Sequence, residues 1–154
     1  MKLKPIHILL VEDNPGDVEL VFASFEGTEL VNNLYVVEDG QEALDYVFKR
    51  GPYTETDRPD IVLLDINLPK IDGIKVLKQI KENSETKMIP VVILTSSEAD
   101  KDIINSNANF ASSYITKPVN VENFLDIAQS IELLWQPDVT LPSNENSDKN
   151  KLLK

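Results

Sequence analysis

Five side chains of three chemical kinds follow short apolar runs in this sequence, and together they could hold a divalent cation and a phosphoryl group. Ile8-Leu9-Leu10-Val11 runs into Glu12-Asp13, Ile61-Val62-Leu63-Leu64 into Asp65, Val91-Val92-Ile93-Leu94 into Thr95, and Tyr114-Ile115-Thr116 into Lys117-Pro118. Clustered carboxylates repel one another, and a hard cation with oxygen ligands relieves the repulsion. Magnesium suits such a set, because it keeps several waters and binds one or two carboxylates together with a phosphate oxygen. Glu12, Asp13 and Asp65 supply the acids, and the backbone carbonyl of Asn67, two residues past Asp65, could complete the protein ligands. Asp65 stands alone at the end of the most apolar run and is the best nucleophile, a carboxylate that attacks phosphorus to form an acyl phosphate. Lys117 offers an ammonium and Thr95 a hydroxyl to the phosphoryl oxygens, as a reaction carried by positioning and electrostatics requires. A new bond to Thr95 would pull the loop after it inward, an ordering switch of the kind phosphorylation drives.

These residues meet only if the runs are strands of one parallel sheet, whose carboxyl ends share an edge beside which ligands bind. Apolar runs of four to six residues alternate with stretches of helical period, the pattern of successive βα units. Strands are expected at about 6–11, 34–37, 60–65, 90–95 and 113–116, and helices at about 15–26, 41–49, 73–83, 98–107 and 121–135. The second strand is the shortest and most polar and reads as an edge strand. The first helix carries Val18, Val21, Phe22 and Phe25 at buried-stripe spacing, with Pro15 in its first turn and Gly27 at its end. Asp39-Gly40 turns into the second helix, where Leu44, Val47 and Phe48 face inward. Residues 51–59 form a breaker-rich loop, longer than a tight connection needs. In the fifth helix Val121, Phe124, Leu125, Ala128, Ile131 and Trp135 share one stripe, while Asn105, Asn107 and Asn109 weaken the fourth. The expected class is α/β, a doubly wound five-stranded parallel sheet with five helices.

The 154 residues suit one domain with a sizeable core. We place it at 1–135, followed by a polar tail at 136–154 that has almost nothing to bury. The net charge of -11 opposes attraction to nucleic acid and to anionic membranes. The tail balances three acids with three lysines, so the whole charge belongs to residues 1–135. With no cysteine there is neither a disulfide framework nor a thiolate metal site. Met1-Lys2-Leu3-Lys4 is not followed by a signal-peptide core, and no apolar stretch approaches the roughly 20 residues of a membrane span. The expected location is the cytoplasm.

The motifs Val11-Glu12-Asp13-Asn14, Leu63-Leu64-Asp65-Ile66-Asn67-Leu68-Pro69 with Asp72-Gly73, Leu94-Thr95-Ser96 and Tyr114-Ile115-Thr116-Lys117-Pro118 resemble those of response-regulator receiver domains, the phosphorylated half of two-component signalling. The resemblance runs from about Ile6 to Trp135. It implies a flavodoxin-like sheet of order 2-1-3-4-5. It also implies that Asp65 is the phosphoacceptor, that Glu12, Asp13, Asp65 and the Asn67 carbonyl hold magnesium, that Thr95 and Lys117 contact the phosphoryl group, and that Tyr114 acts with Thr95 as the switch. Asp13-Asn14-Pro15-Gly16-Asp17, the 51–59 insertion, Asn67-Leu68-Pro69 and Trp135 are similar to the subgroup of single-domain regulators that partner phytochrome-type histidine kinases. A sensor histidine kinase is then the expected donor. The expected output is a change of the surface of helix four, strand five and helix five that alters partner binding or homodimer formation, with catalysis limited to the domain's own phosphorylation and dephosphorylation.

Read singly, each of these groups has a structural explanation. Glu12-Asp13 could be a solvated turn or a helix N-cap, Asp65 a strand-terminating turn, Thr95-Ser96-Ser97 a helix cap and Lys117 a surface lysine; the four together, each at its own strand end and in receiver order, favour function. His7, the only histidine, lies within the first strand and reads as structural. The rivals are a pseudo-receiver acting by protein contact without phosphorylation, and an enzyme, either a haloacid-dehalogenase-like phosphatase or a flavin-binding domain. The complete acid, hydroxyl and amine set opposes the first. Asn67, where such a phosphatase would have a second aspartate, and the lack of a phosphate loop oppose the second.

Overall fold

Parallel pairing of the apolar runs builds one five-stranded sheet in a computed structural model that describes residues 6–26, 31–96, 113–119 and 121–130. The strands are β1 (Ile6–Val11), β2 (Val31–Val37), β3 (Ile61–Asp65), β4 (Val91–Thr95) and β5 (Ser113–Thr116), in the order β2-β1-β3-β4-β5. Three helices, α1 (Pro15–Phe25), α2 (Gly40–Val47) and α3 (Gly73–Lys81), and a C-terminal helix, Val121–Ser130, flank it. The order is the expected flavodoxin-like one. The helix expected at 98–107, Gly27, Ser97, Trp135 and the tail lie outside the described residues.

Side chains alternate across a strand, so each run feeds two cores. Leu9, Val11, Val62, Leu64, Val91 and Ile93 pack with Leu44 and Val47 of α2 and with Val76, Leu77 and Ile80 of α3. Ile8, Leu10, Ile61, Leu63, Val92, Leu94 and Ile115 pack with Val21 and Phe25 of α1 and Phe124 of the C-terminal helix. Both faces of β3 and β4 are covered, which explains their unbroken apolar sequences.

Four details differ from the sequence reading. β2 lies at the sheet edge as expected, but it begins at Val31 and is the longest strand, because its backbone follows β1 down to Ile6 across a register shift between Ile6 and His7. Phe22 is exposed at 46%, since α1 presents Val21 and Phe25 to the core and turns Phe22 off that line. α2 stops at Val47, and Lys49 then takes a left-handed φ of 60° that ends the helical path. The 51–59 segment is more than a loop: Gly51–Tyr53 forms a 3-10 turn, and Tyr53 is buried with its ring 5.0 Å from that of Tyr46.

Candidate functional site

Period-two alternation assigns the charged groups to one side of the sheet edge. Glu12 follows Ile8 and Leu10, Asp65 follows Ile61 and Leu63, and Lys117 follows Ile115, so all three continue the face that α1 and the C-terminal helix cover. Backbone bonds hold these strand ends in place. Glu12 N–H donates to Val37 O at 3.0 Å, Ile66 N–H to Leu94 O at 3.1 Å, and Lys117 N–H to Thr95 O at 2.8 Å. The Lys117–Pro118 peptide is cis.

Lys117 Nζ lies 2.7 Å from Glu12 Oε1, 3.1 Å from Asp65 Oδ2 and 3.1 Å from Asp17 Oδ2. Glu12 and Asp65 are buried and the Lys117 side chain is 14% exposed, so this ion cluster works with little screening by water. Asp13 is exposed at the rim, yet carboxylate oxygens of Glu12, Asp13 and Asp65 all lie within 4.8 Å of one another. Asn67 N–H donates to Asp65 Oδ1 at 3.0 Å, which turns the chain after β3 back over the Asp65 carboxylate. Thr95 is buried at the end of β4, and Tyr114 on β5 is 41% exposed. The structure therefore brings Glu12, Asp13, Asp65, Asn67 and Lys117 together, with Thr95 at the neighbouring strand end. Tyr114 lies on the adjacent edge strand.

Burial raises the Glu12 carboxyl to about 7, the neighbouring Asp65 adds to the rise, and Lys117 opposes it. Burial alone would lower Lys117, but the carboxylates of Glu12, Asp17 and Asp65 outweigh it and hold the ammonium above the ordinary lysine range. One ammonium does not satisfy this acid set. Glu12 Oε1 is buried without an aligned hydrogen-bond donor among the described residues, although Lys117 Nζ is close to it. A buried, unsatisfied carboxylate oxygen between two more acids matches the needs of a hard divalent cation.

Asp17 is the participant that sequence reading passed over. It belongs to the Asn14-Pro15-Gly16-Asp17 segment, where Asn14 caps α1 by accepting from Asp17 N–H at 3.0 Å. The available signal was its place in the first turn, since helical side chains tilt toward the N-terminus and here toward the strand ends.

The sequence model of the response regulator receiver domain matches residues 8–129. Response regulator Rcp1 of Synechocystis sp. is 40% identical over 139 residues, covering 90% of this chain and 95% of that protein. The bacteriophytochrome response regulator AtBRR superposes with a TM-score of 0.78 at 39% identity, covering 86% of this chain and 96% of that one. The phosphorylated cyanobacterial phytochrome response regulator RcpA does so with a TM-score of 0.70 at 40% identity, covering 90% and 99%. A manganese-bound form of Rcp1 is a further structural neighbour, with a TM-score of 0.68.

Proposed function

The chain belongs to the response regulator receiver family, whose members accept a phosphoryl group in two-component signalling, and from that membership we propose that Asp65 is its acceptor and magnesium its working metal. One observation carries the residue assignment: Asp65 is buried at the end of β3 with Lys117 Nζ 3.1 Å from Oδ2 and two further acids within metal-sharing distance. Glu12, Asp13, Asp65 and the Asn67 carbonyl would hold the ion. When bound, magnesium would neutralise charge on the transferring phosphoryl group.

The chain's own residues do the rest. An Asp65 oxygen attacks phosphorus, the bond from phosphorus to the donor's histidine nitrogen breaks, and the imidazole leaves with that electron pair. Asn67 N–H holds the other geometry of the carboxylate through Oδ1, Lys117 donates to a phosphoryl oxygen, and the Thr95 hydroxyl takes another. Binding Thr95 to the new group moves the β4 end, and Tyr114 on the adjacent strand carries the change to the surface. A sensor histidine kinase is the donor, and the likeness to phytochrome response regulators supports a phytochrome-type one. The described residues contain no helix long and apolar enough to cross a membrane. Activity limited to the domain's own phosphorylation and dephosphorylation, a cytoplasmic location, a receiver at 1–135 with a tail at 136–154, and phosphorylation-dependent pairing through strand five and its flanking helices complete the proposal.

Incubation with magnesium and a small acyl-phosphate donor tests it. Intact mass should show one added phosphoryl group that disappears with a chelator and in Asp65→Asn. An adduct of equal yield in Asp65→Asn, or none in the native protein, would overturn the assignment.

A further inference from the structure

We propose that Asp17 is a positioning residue for phosphoryl transfer, holding the Lys117 ammonium over Asp65 while the metal and the phosphoryl group occupy the two strand-end carboxylates. The inference rests on the assignment of Asp65 as acceptor and of Lys117 as the phosphoryl-contacting amine. A lysine ammonium has three donors; Lys117 donates to Asp65 Oδ2 and Asp17 Oδ2 and pairs by charge with Glu12 Oε1, so its ammonium faces three carboxylates. Two of those partners have other work. Glu12 and Asp65 belong to the acid set that fits a cation, and Asp65 becomes an acyl phosphate during the reaction. Each of those events weakens its hold on the ammonium. Asp17 stands outside the acid cluster, on α1 rather than on a strand end, and takes part in neither event.

The placement is built by local structure. Asn14 caps α1 and fixes Asp17 N–H at 3.0 Å from its side-chain oxygen, while Val18 N–H donates to Asn14 O at 3.0 Å. Only Glu12, Asp13 and Asn14 separate β1 from this helix, so the first turn lies directly above the strand edge. Asp17 therefore reaches across from α1 to a lysine 100 residues away in sequence. With its side chain 33% exposed, Asp17 sits at the mouth of the site, and the lysine between it and Asp65 is the more buried partner. A lysine tethered at both ends keeps one donor committed and leaves the others free to meet phosphoryl oxygens. An untethered lysine would have to be ordered anew in each turnover.

Two effects of removing Asp17 have opposite signs, which makes the test decisive. If Asp17 acts only through its charge, neutralising it should speed attack on an anionic donor. If it positions Lys117, Asp17→Asn should slow phosphorylation by the small acyl-phosphate donor about tenfold, the loss expected for one charge-assisted hydrogen bond in a transition state. Asp17→Glu, which keeps a carboxylate, should recover much of the rate. In a Lys117→Met background Asp17→Asn should have no further effect. A second readout needs no turnover: nitrogen NMR of the metal-free protein should show the Lys117 ammonium signal displaced in Asp17→Asn and restored toward the native position in Asp17→Glu. A faster or unchanged rate in Asp17→Asn, or an equal loss in both backgrounds, would overturn the inference and leave the Asp65 assignment intact. Absence of any adduct in the native protein would overturn both.

Discussion

The most consequential residue after Asp65 is Glu12, whose carboxyl burial carries up to about 7. Because the folded value lies above the unfolded one, the folded metal-free protein binds more protons than the unfolded chain between roughly pH 4.5 and 7. Glu12 therefore contributes stability at the acid end of that window and loses it as pH rises through about 7. A cation must displace the same proton. Magnesium affinity should fall as pH drops from 8 to 6, with proton release on binding that grows across this range, and calorimetry in buffers of different ionisation enthalpy measures both. Affinity that is flat with pH, with no proton release, would contradict the raised carboxyl. Lys117 supports the cluster from the other side. Lys117→Met should destabilise the metal-free protein at pH 8 by about 3 kcal/mol in urea unfolding, because it leaves buried carboxylates without their cation. Near pH 5 the loss should shrink as Glu12 takes its proton. At this scale the strand-end residues were legible because an acid after four apolar residues, or a lysine before proline after Tyr114-Ile115-Thr116, breaks the local pattern. Asp17 was not, because an acid in the first turn of a helix is ordinary for dipole reasons and its partner is a long-range one.

Among the elements, the connection from β3 to α3 does most to shape the site. Gly73 begins α3 so close to the end of β3 that an added Cβ would lie 2.4 Å from Asp65 O and 2.8 Å from the Ile66 Cα. Both obstacles are backbone and cannot rotate away. Gly73→Ala should therefore cost about 1–3 kcal/mol of stability and weaken magnesium binding, by displacing the Asp65 peptide. A variant that kept native metal affinity and native stability would show that the loop gives way at little cost. A Cβ added at Gly40 would likewise lie 2.3 Å from Ile71 O, so α2 docks closely against the same loop. Ranges for β1, β3 and β4 could be read from apolar runs because those strands are buried, whereas edge strand β5 buries only Ile115 of its four residues. β2 could not be read this way, since Asn32 and Asn33 carry no apolar signal and the start of the strand is set by pairing of Val31 and Asn33 with Ile6 and His7 of β1. Tyr53 was hidden for a related reason: its neighbours Gly51, Pro52 and Thr54 read as breakers, and only the nearby Tyr35 and Tyr46 rings give it a buried place.

For the molecule as a whole, fold and acceptor chemistry are two consequences of one topology. Parallel order β2-β1-β3-β4-β5 gathers the strand ends, and alternation within each strand selects which residues face α1. The net charge of -11 sharpens the need for the cation, since carboxylates gathered in an already acidic protein gain little from distant charges. Phosphorylation should shift the protein toward a larger species in size-exclusion chromatography, and Tyr114→Ala on β5 should reduce that shift while leaving Asp65 phosphorylation intact. The measurement that bears most directly on the acceptor is location of the phosphoryl group after reaction with magnesium and an acyl-phosphate donor. Borohydride reduces an aspartyl phosphate to homoserine with loss of phosphate, and peptide mass spectrometry then reads the position. Homoserine at position 65 alone is the predicted result; homoserine at 13 or 17, 5-hydroxynorvaline at 12, or an unmodified Asp65 in protein that carries the phosphoryl mass, would contradict it.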